Sequence, residues 1–256
     1  MTKELLIYAA ATPVRVQQHG NMSVAPKASF RFAAEVNSVP IVAAEFSAAA
    51  ADLTVVFAGT DKAVMPVVLL GLENNQNRFV GADGNWTGRY VPAFLRRYPF
   101  VFAATEGSGD LTLCIDEAYA GLNDKAEGER LFDSAGNRTL YLNGVLEFAV
   151  QYQTQYERTR IFCERLVAND LLESVVASFT DGDGNAKRLT GFFRINRTKL
   201  KAIQPDLLAT LFATDELELC YVHLASLANI DRLAQTVAQT VEQPVAAPAT
   251  RKKKVQ

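Results

Sequence analysis

The sequence is poor in the residue types that build disulfide frameworks and metal sites. Its 256 residues include only three cysteines and two histidines. Cys114, Cys163 and Cys220 are odd in number, far apart and set in apolar runs. They exclude a disulfide framework, favour a reducing compartment and indicate buried thiols. Since no His or Cys pair has metal-ligand spacing, no bound metal is expected.

Long hydrophobic runs are also missing. None reaches the roughly 20 apolar residues of a membrane-spanning helix, so no membrane span is expected. The N-terminal run LLIYAAA is short and follows Glu4, where a signal peptide would carry positive charge. The run therefore predicts a first strand at residues 5–8. We expect a cytoplasmic protein, with the cell surface as the alternative location.

Motifs for nucleotide cofactors, calcium and serine hydrolysis are absent. The chain has no G-x-x-x-x-G-K-[ST], no G-x-G-x-x-G after a predicted strand and no G-x-S-x-G, so no cofactor is expected. DGDGN at 181–185 resembles a calcium loop. However, Ala186 and Phe192 stand where such a loop needs glycine and a bidentate acid. A tight turn is the better interpretation.

The composition is that of an ordinary soluble globular protein. Apolar residues make up 49%, charged residues 21%, and the net charge is -2. Residues 236–256 are rich in Ala, Pro, Gln and Val and end in the basic run at 251–254. This run either contacts nucleic acid or acidic lipid or is a plain solubilising tail; four charges are few, so the second is favoured and no nucleic-acid partner is expected. We therefore predict one domain over residues 1–235 and a disordered tail over 236–256.

Strand and helix patterns are segregated along the chain. The first half predicts strands at residues 29–36, 52–59, 64–73 and 110–117, with a short helix after Pro40. The second half predicts two helices over 146–179 broken at Asn169–Asp170, a strand at 188–196, short helices at 198–203 and 205–212, a strand or buried turn at 217–224, and a helix at 227–241. This order indicates one compact α+β domain, in which a mostly antiparallel sheet packs against helices of the C-terminal half.

The most informative stretch is residues 86–102, which we call the aromatic segment. Six of its 17 residues are aromatic, against 24 in the 256 of the chain. Aromatic residues recur every four positions from Trp86 to Tyr98, but Pro92 and Pro99 prevent one continuous helix. Arginines are interleaved with the rings, and arginine beside aromatic faces binds carboxylates or phosphates.

Two interpretations of the aromatic segment stay open. It forms a pocket for an anionic or peptide ligand or a protein partner, or it is a packing cluster whose arginines pair with Asp116 and Glu117. His223 is interpreted either as a buried, hydrogen-bonded residue or as an acid–base group beside the pocket. No catalytic residue is assigned. The candidate binding residues are Trp86, Arg89, Tyr90, Arg96, Arg97, Tyr98, Asp116, Glu117 and His223.

Several motifs together resemble the SapC family of bacterial proteins over about residues 13–233. They are His19 in the N-terminal segment, VPIVAAEF (39–46), VVLLGLENNQNRFVGADGNWTGRYVPAFLRRYPFVFA (67–103), LCIDE (113–117), RLFDSAGNRT (130–139), LTGFFRINRTKL (189–200) and LELCYVHLASLANIDRL (217–233). The resemblance implies a link to bacterial surface-layer systems and an association with flavin-dependent-halogenase-like enzymes. It implies no catalytic residues.

Three hypotheses about function follow. The first is a non-catalytic accessory protein that binds a protein, peptide or small anionic ligand through the aromatic segment. The second is an enzyme in which Asp116, Glu117 and His223 act as acid–base groups, which requires them to converge in one pocket. The third, implied by the resemblance alone, is a surface-layer component.

Overall fold

The chain folds into antiparallel sheets and helices. The structure is a computed structural model that describes residues 6–26, 29–60, 63–104, 111–180 and 185–233. The strands are β1 (Ala11–Pro13), β2 (Ser23–Val24), β3 (Ser38–Pro40), β4 (Thr54–Thr60), β5 (Ala63–Leu69), β6 (Phe100–Ala104), β7 (Leu111–Asp116), β8 (Leu122–Asn123), β9 (Glu129–Arg130), β10 (Leu172–Thr180) and β11 (Ala186–Ile195). The α-helices are α1 (Val16–His19), α2 (Phe46–Ala49), α3 (Ala93–Arg96), α4 (Leu140–Ala168), α5 (Arg197–Lys201), α6 (Pro205–Ala213) and α7 (Glu216–Ser226).

The largest sheet has the order β10-β11-β4-β5-β3, and every neighbouring pair is antiparallel. β4 and β5 pair in full register from Thr54↔Leu69 to Thr60↔Ala63. Their β-branched residues suit a pleated sheet that is buried on both faces. The α+β prediction is therefore confirmed.

Two smaller sheets complete the β structure. One has the order β1-β7-β6 and the other β8-β2-β9, again antiparallel throughout. β6 pairs with β7 from Phe100↔Ile115 to Ala104↔Leu111. Within the described residues, β6 is an edge strand of its sheet.

The main core lies between the large sheet and helices α4 and α7. Side chains alternate along β4, so Phe57 points toward Phe162 of α4 and His223 of α7, with ring centroids 6.3 and 5.0 Å away. Val56, on the other face, packs against residues 227–233. Each fully buried large apolar side chain contributes about 1.5–3 kcal/mol to folding. The large ones are Phe46, Phe57, Phe94, Phe162, Ile41, Leu53, Leu69, Leu70, Leu95, Ile115, Leu131 and Leu142.

Helix α4 has clear ends. The Thr139 hydroxyl accepts a hydrogen bond from the Leu142 N–H at 3.3 Å, as an N-cap does. The helix closes at Asn169, and Asp170 adopts a left-handed φ of 53°. The predicted break at these two residues is confirmed. The predicted second helix is wrong, because LESVVASFT forms β10 and pairs with β11.

Three other sequence predictions are wrong. The described residues 6–8 of the predicted first strand form a turn, and the first strand is β1. Residues 29–36 contain a 3₁₀ turn at Arg31–Ala33 instead of a strand. Residues 217–224 belong to α7. In a short apolar run that is buried on several sides, the hydrophobic pattern does not distinguish the period of a strand from that of a helix.

The remaining predictions fare as follows. The helix after Pro40, the short helices before α7 and the strands β4, β5, β7 and β11 are confirmed. The hairpin β10–β11 comes from the C-terminal half, so the large sheet is not a product of the first half alone. Residues 229–233 start the last helix. Its continuation, the 236–256 tail and residues 181–184 of the predicted turn lie outside the described residues.

Within the described residues, no helix combines the length and the apolarity that crossing a membrane requires.

Candidate functional site

The aromatic segment folds as a loop, a helical turn and a strand. Trp86 forms an isolated β-bridge with Val80. Pro92 then caps α3 in an extended conformation, with φ -52° and ψ 140°. Residues after the Tyr98–Pro99 bond, which is cis, enter β6. The aromatic rings therefore spread over two neighbouring regions instead of sharing one helix face.

The first region, around Trp86, is a packing corner. The indole Nε1 donates a hydrogen bond to the Tyr90 carbonyl at 3.0 Å. Its ring stacks on Phe79 with centroids 5.4 Å apart. Arg89 is exposed, and its backbone N–H donates to the Asp52 carboxylate at 2.5 Å. These contacts hold the loop around Trp86 against its neighbours by packing and hydrogen bonding.

A buried carboxylate that sequence reasoning missed, Glu45, joins this corner to α3. Its Oε1 accepts hydrogen bonds from the Tyr90 hydroxyl at 2.7 Å and from the Ala93 N–H at 2.6 Å. Its Oε2 accepts from the Val42 N–H at 3.0 Å. Burial and the bond to Glu45 raise the pKa of Tyr90. The only sequence signal was an acid in the Ala-rich turn after Pro40.

The second region is a cavity of about 650 Å³ between β6 and the first half of α4. Three candidate residues line it, namely Arg96, Arg97 and Tyr98. Residues 24–26 and Glu129 also line it. Most of the lining is apolar or aromatic and comes from Phe100, Val101, Phe102, Leu140, Tyr141, Val145, Phe148, Ala149 and Tyr152.

Sequence reasoning missed the α4 wall of this cavity. Its sequence signal is the repeat of Phe148, Tyr152 and Tyr156 at four-residue spacing, and such an aromatic stripe on one helix face is typical of core packing. Tyr152 is almost fully buried, while Leu140, at the mouth, is 91% exposed. The stripe is thus partly core and partly cavity wall.

Arg97 is held between aromatic rings. Its guanidinium carbon lies 4.4 Å from the Phe94 ring centroid and 4.7 Å from that of Tyr152. Its Nε is buried without a hydrogen-bond partner among the described residues. Within the same residues, no carboxylate forms an ion pair with it. Arginine stays charged at every physiological pH, so the cavity wall carries a positive charge that has no ion-paired carboxylate among the described residues.

Arg96 lies nearer the solvent. Its guanidinium carbon is 5.5 Å from the Phe148 centroid and 5.6 Å from that of Tyr90. The side chain donates to the Val91 carbonyl at 3.1 Å and to the Tyr90 hydroxyl at 3.2 Å. The two adjacent arginines therefore sit at different depths in the same wall.

The tyrosines of the cavity remain protonated at neutral pH. Burial raises the pKa of Tyr98 to about 12, with further increases from the charge and the hydrogen bond of Asp116. Burial also raises the pKa of Tyr141 to about 12 and that of Tyr152. These hydroxyls can offer hydrogen bonds, but they do not exchange protons readily at neutral pH.

Asp116 and Glu117 contact the N-terminal segment, and among the described ion pairs neither acid is paired with an arginine of the aromatic segment. The buried Asp116 accepts backbone hydrogen bonds from Ala9 and Ala10, both at 2.9 Å. Glu117 accepts from the Gln18 side chain and lies 3.4 Å from His19 Nε2. Within the described residues, neither acid forms an ion pair with Arg97, and the packing and pocket interpretations both stay predictions.

His223 is a buried, hydrogen-bonded residue. Its Nε2 accepts from the Ile195 N–H at 3.1 Å, so its Nδ1 carries the proton and donates to the Val55 carbonyl at 3.0 Å. Burial lowers its pKa to about 4. The ring cross-links β4, β11 and α7 in its neutral form. The structure does not bring Asp116, Glu117 and His223 together in the cavity.

Within the described residues, no group of three or more His, Cys, Asp or Glu is placed to hold a metal ion. A protein-family model, described as SapC, matches residues 14–233. All residues that line the cavity fall inside this match. No curated protein and no solved structure matches the chain.

Proposed function

The chain belongs to the SapC family, and we propose that it is a non-catalytic binding protein whose cavity captures an organic anion with an apolar body. One observation carries this proposal. Arg97 presents a guanidinium in an aromatic cavity wall with no carboxylate to balance it among the described residues. We therefore take a ligand carboxylate to be the missing partner.

The electrostatics favour an anion at this position. Removing an arginine from water is costly unless the charge is paired, although the faces of Phe94 and Tyr152 recover part of that cost. A carboxylate that meets the guanidinium gains charge-assisted hydrogen bonds in a weakly polar environment. Glu129, which also lines the cavity, repels an anion and so favours a position near Arg97.

The rest of the cavity favours an apolar body. Its volume of about 650 Å³ lies within the range of small-molecule sites. Phe100, Tyr141 and Phe148 supply flat apolar surface around the space. A free aromatic or aliphatic acid matches this lining better than a phosphate or a sugar, which would leave polar groups without partners.

The chemistry of the surrounding groups supports binding without catalysis. The tyrosines beside Arg97 have raised pKa values, with Tyr98 and Tyr141 near 12. The thiols of Cys163 and Cys220 are buried in the main core, where burial raises their pKa to about 12. None of these groups is a ready base or nucleophile at neutral pH.

Calorimetric titration of the full chain with N-acetyl-L-phenylalanine tests the proposal. We expect Arg97→Gln to weaken binding roughly tenfold or more, because the charge-assisted bonds are lost. Arg89→Gln is the matched control, since Arg89 is an exposed arginine of the same segment outside the cavity lining. Its affinity should stay within about twofold of the wild type. Equal losses in both variants, or no saturable binding to the wild type, would contradict the proposal.

A further inference from the structure

The cavity continues along β6, which within the described residues is an edge strand of its sheet. Phe102 of β6 lines both the cavity and an adjoining groove of about 470 Å³. The groove is bordered by Leu111, Val150, Gln153, Thr154 and Glu157. Leu111 and Val150 line the same groove and are 42% and 55% exposed, so the groove presents apolar surface to solvent. Arg97, the β6 edge and this apolar groove thus form one continuous surface.

The register shows which backbone groups of β6 point into this surface. Phe102 lies opposite Leu113 of β7. The Leu113 carbonyl accepts the Val14 N–H at 2.9 Å from the far side of β7. In an antiparallel ladder, both polar groups of one residue point the same way. Leu113 therefore faces away from β6, and the N–H and C=O of Phe102 face outward from the sheet.

The preceding outward pair is already occupied. The Phe100 N–H donates to the Arg97 carbonyl at 2.7 Å, and the Phe100 carbonyl accepts from the Tyr8 hydroxyl at 2.8 Å. Phe102 is therefore the first outward donor–acceptor pair after the turn that holds Arg97. Phe102 lies two residues, or about 7 Å, beyond Phe100 along the strand.

From these observations we infer that the ligand anion is the C-terminal carboxylate of a peptide chain, bound as an extra antiparallel strand on β6. This inference rests on the proposed binding function of the cavity. The carboxylate meets Arg97 and the last side chain fills the aromatic cavity. The third residue from the end exchanges two backbone hydrogen bonds with Phe102, and earlier side chains cover Leu111 and Val150.

A peptide fits this surface better than a fatty acid of the same length. An alkyl chain across Phe102 would desolvate its N–H and C=O without supplying partners, which is unfavourable. A peptide supplies both partners at the two-residue spacing that the strand dictates. Strand addition at a sheet edge with a pocket for a side chain is a recurrent mode of peptide recognition. The carboxylate fixes the direction, because Arg97 lies at the N-terminal end of β6.

Calorimetry with three probes tests the inference on the full chain. They are N-acetyl-L-phenylalanine, acetyl-tetraalanyl-phenylalanine with a free carboxylate, and the same pentapeptide with an ester in place of the N–H of its third-from-last residue. We expect the pentapeptide to bind roughly tenfold more tightly than the single amino acid, and the ester to lose about fivefold.

Two variants separate the backbone of Phe102 from its side chain. Phe102→Pro removes the outward N–H at an edge position, where proline is tolerated. Phe102→Leu keeps the N–H and is the matched control. The advantage of the pentapeptide over the single amino acid should vanish in Phe102→Pro and persist in Phe102→Leu.

The outcomes distinguish the inference from the proposed function. Equal affinity of the pentapeptide and N-acetyl-L-phenylalanine, with both dependent on Arg97, overturns strand addition and leaves the anion site in place. An ester that binds as tightly as the peptide also overturns strand addition. Failure of every probe to bind the wild type overturns both.

Discussion

His223 and Arg97 are both basic side chains set among aromatic rings, yet the structure treats them differently. His223 packs 5.0 Å from the Phe57 centroid, and both of its ring nitrogens are hydrogen-bonded to the backbone. Arg97 packs against Phe94 and Tyr152 but has no carboxylate partner among the described residues. Aromatic surroundings therefore do not identify a binding site by themselves. The completeness of the polar contacts separates a structural residue from a candidate ligand contact.

The largest effect on stability is expected from His223→Ala. The change leaves the Ile195 N–H and the Val55 carbonyl buried without partners and opens a cavity beside Phe57. We expect the free energy of unfolding to fall by about 3–5 kcal/mol. Denaturant titration followed by circular dichroism measures this change.

Arg97→Gln is the comparison for that experiment. It loses contacts with the rings of Tyr8, Phe94 and Tyr152. It also removes a charge that has no ion-paired carboxylate among the described residues, so its stability should stay within about 1 kcal/mol of the wild type. If Arg97→Gln proved the more destabilising of the two, Arg97 would be the structural residue and the comparison would be reversed.

A change of pH is expected to lower the free energy of unfolding by less than His223→Ala does. We expect this change to come from His223 and not from Arg97, because arginine stays charged. The pKa of His223 is about 4 in the folded protein and 6.5 in the reference state. The unfolded chain therefore binds the proton first as the pH falls. Stability should be lost below the unfolded pKa, by about 3 kcal/mol once the pH reaches the folded pKa.

Measuring unfolding free energies of the wild type and His223→Gln at several pH values isolates this contribution. The advantage of the wild type should shrink between about pH 7.5 and about pH 4.5. A difference between the two proteins that does not change over this range would show that His223 is not buried in its neutral form.

The sequence was most informative where a pattern had one interpretation. β4 and β5 are β-branched runs between turns, and the break near Asn169 is a local polar signal; all three were predicted. The prediction of a helix for the residues of β10 was wrong, because this strand takes its conformation from its pairing with β11 and not from a local pattern. The prediction of a strand or buried turn at residues 217–224 was wrong, because a short buried apolar run fits either a strand or a helix.

The candidate site could be predicted in part. Arg97 was identified from its aromatic neighbours along the chain. Its lack of a carboxylate depends on where Asp116 and Glu117 find partners, and they find them in the N-terminal segment. Glu45 contacts Ala93, 48 residues away, so no local pattern announces it. Such contacts follow from tertiary packing rather than from spacing.

The central claim is that a carboxylate completes the environment of Arg97. It is tested most directly by calorimetric titration of the full wild-type chain with N-acetyl-L-phenylalanine and, separately, with N-acetyl-L-phenylalaninamide. The two probes share size and apolar surface and differ in charge. We predict that the acid binds roughly tenfold or more tightly than the amide. Equal affinities for the acid and the amide would contradict it.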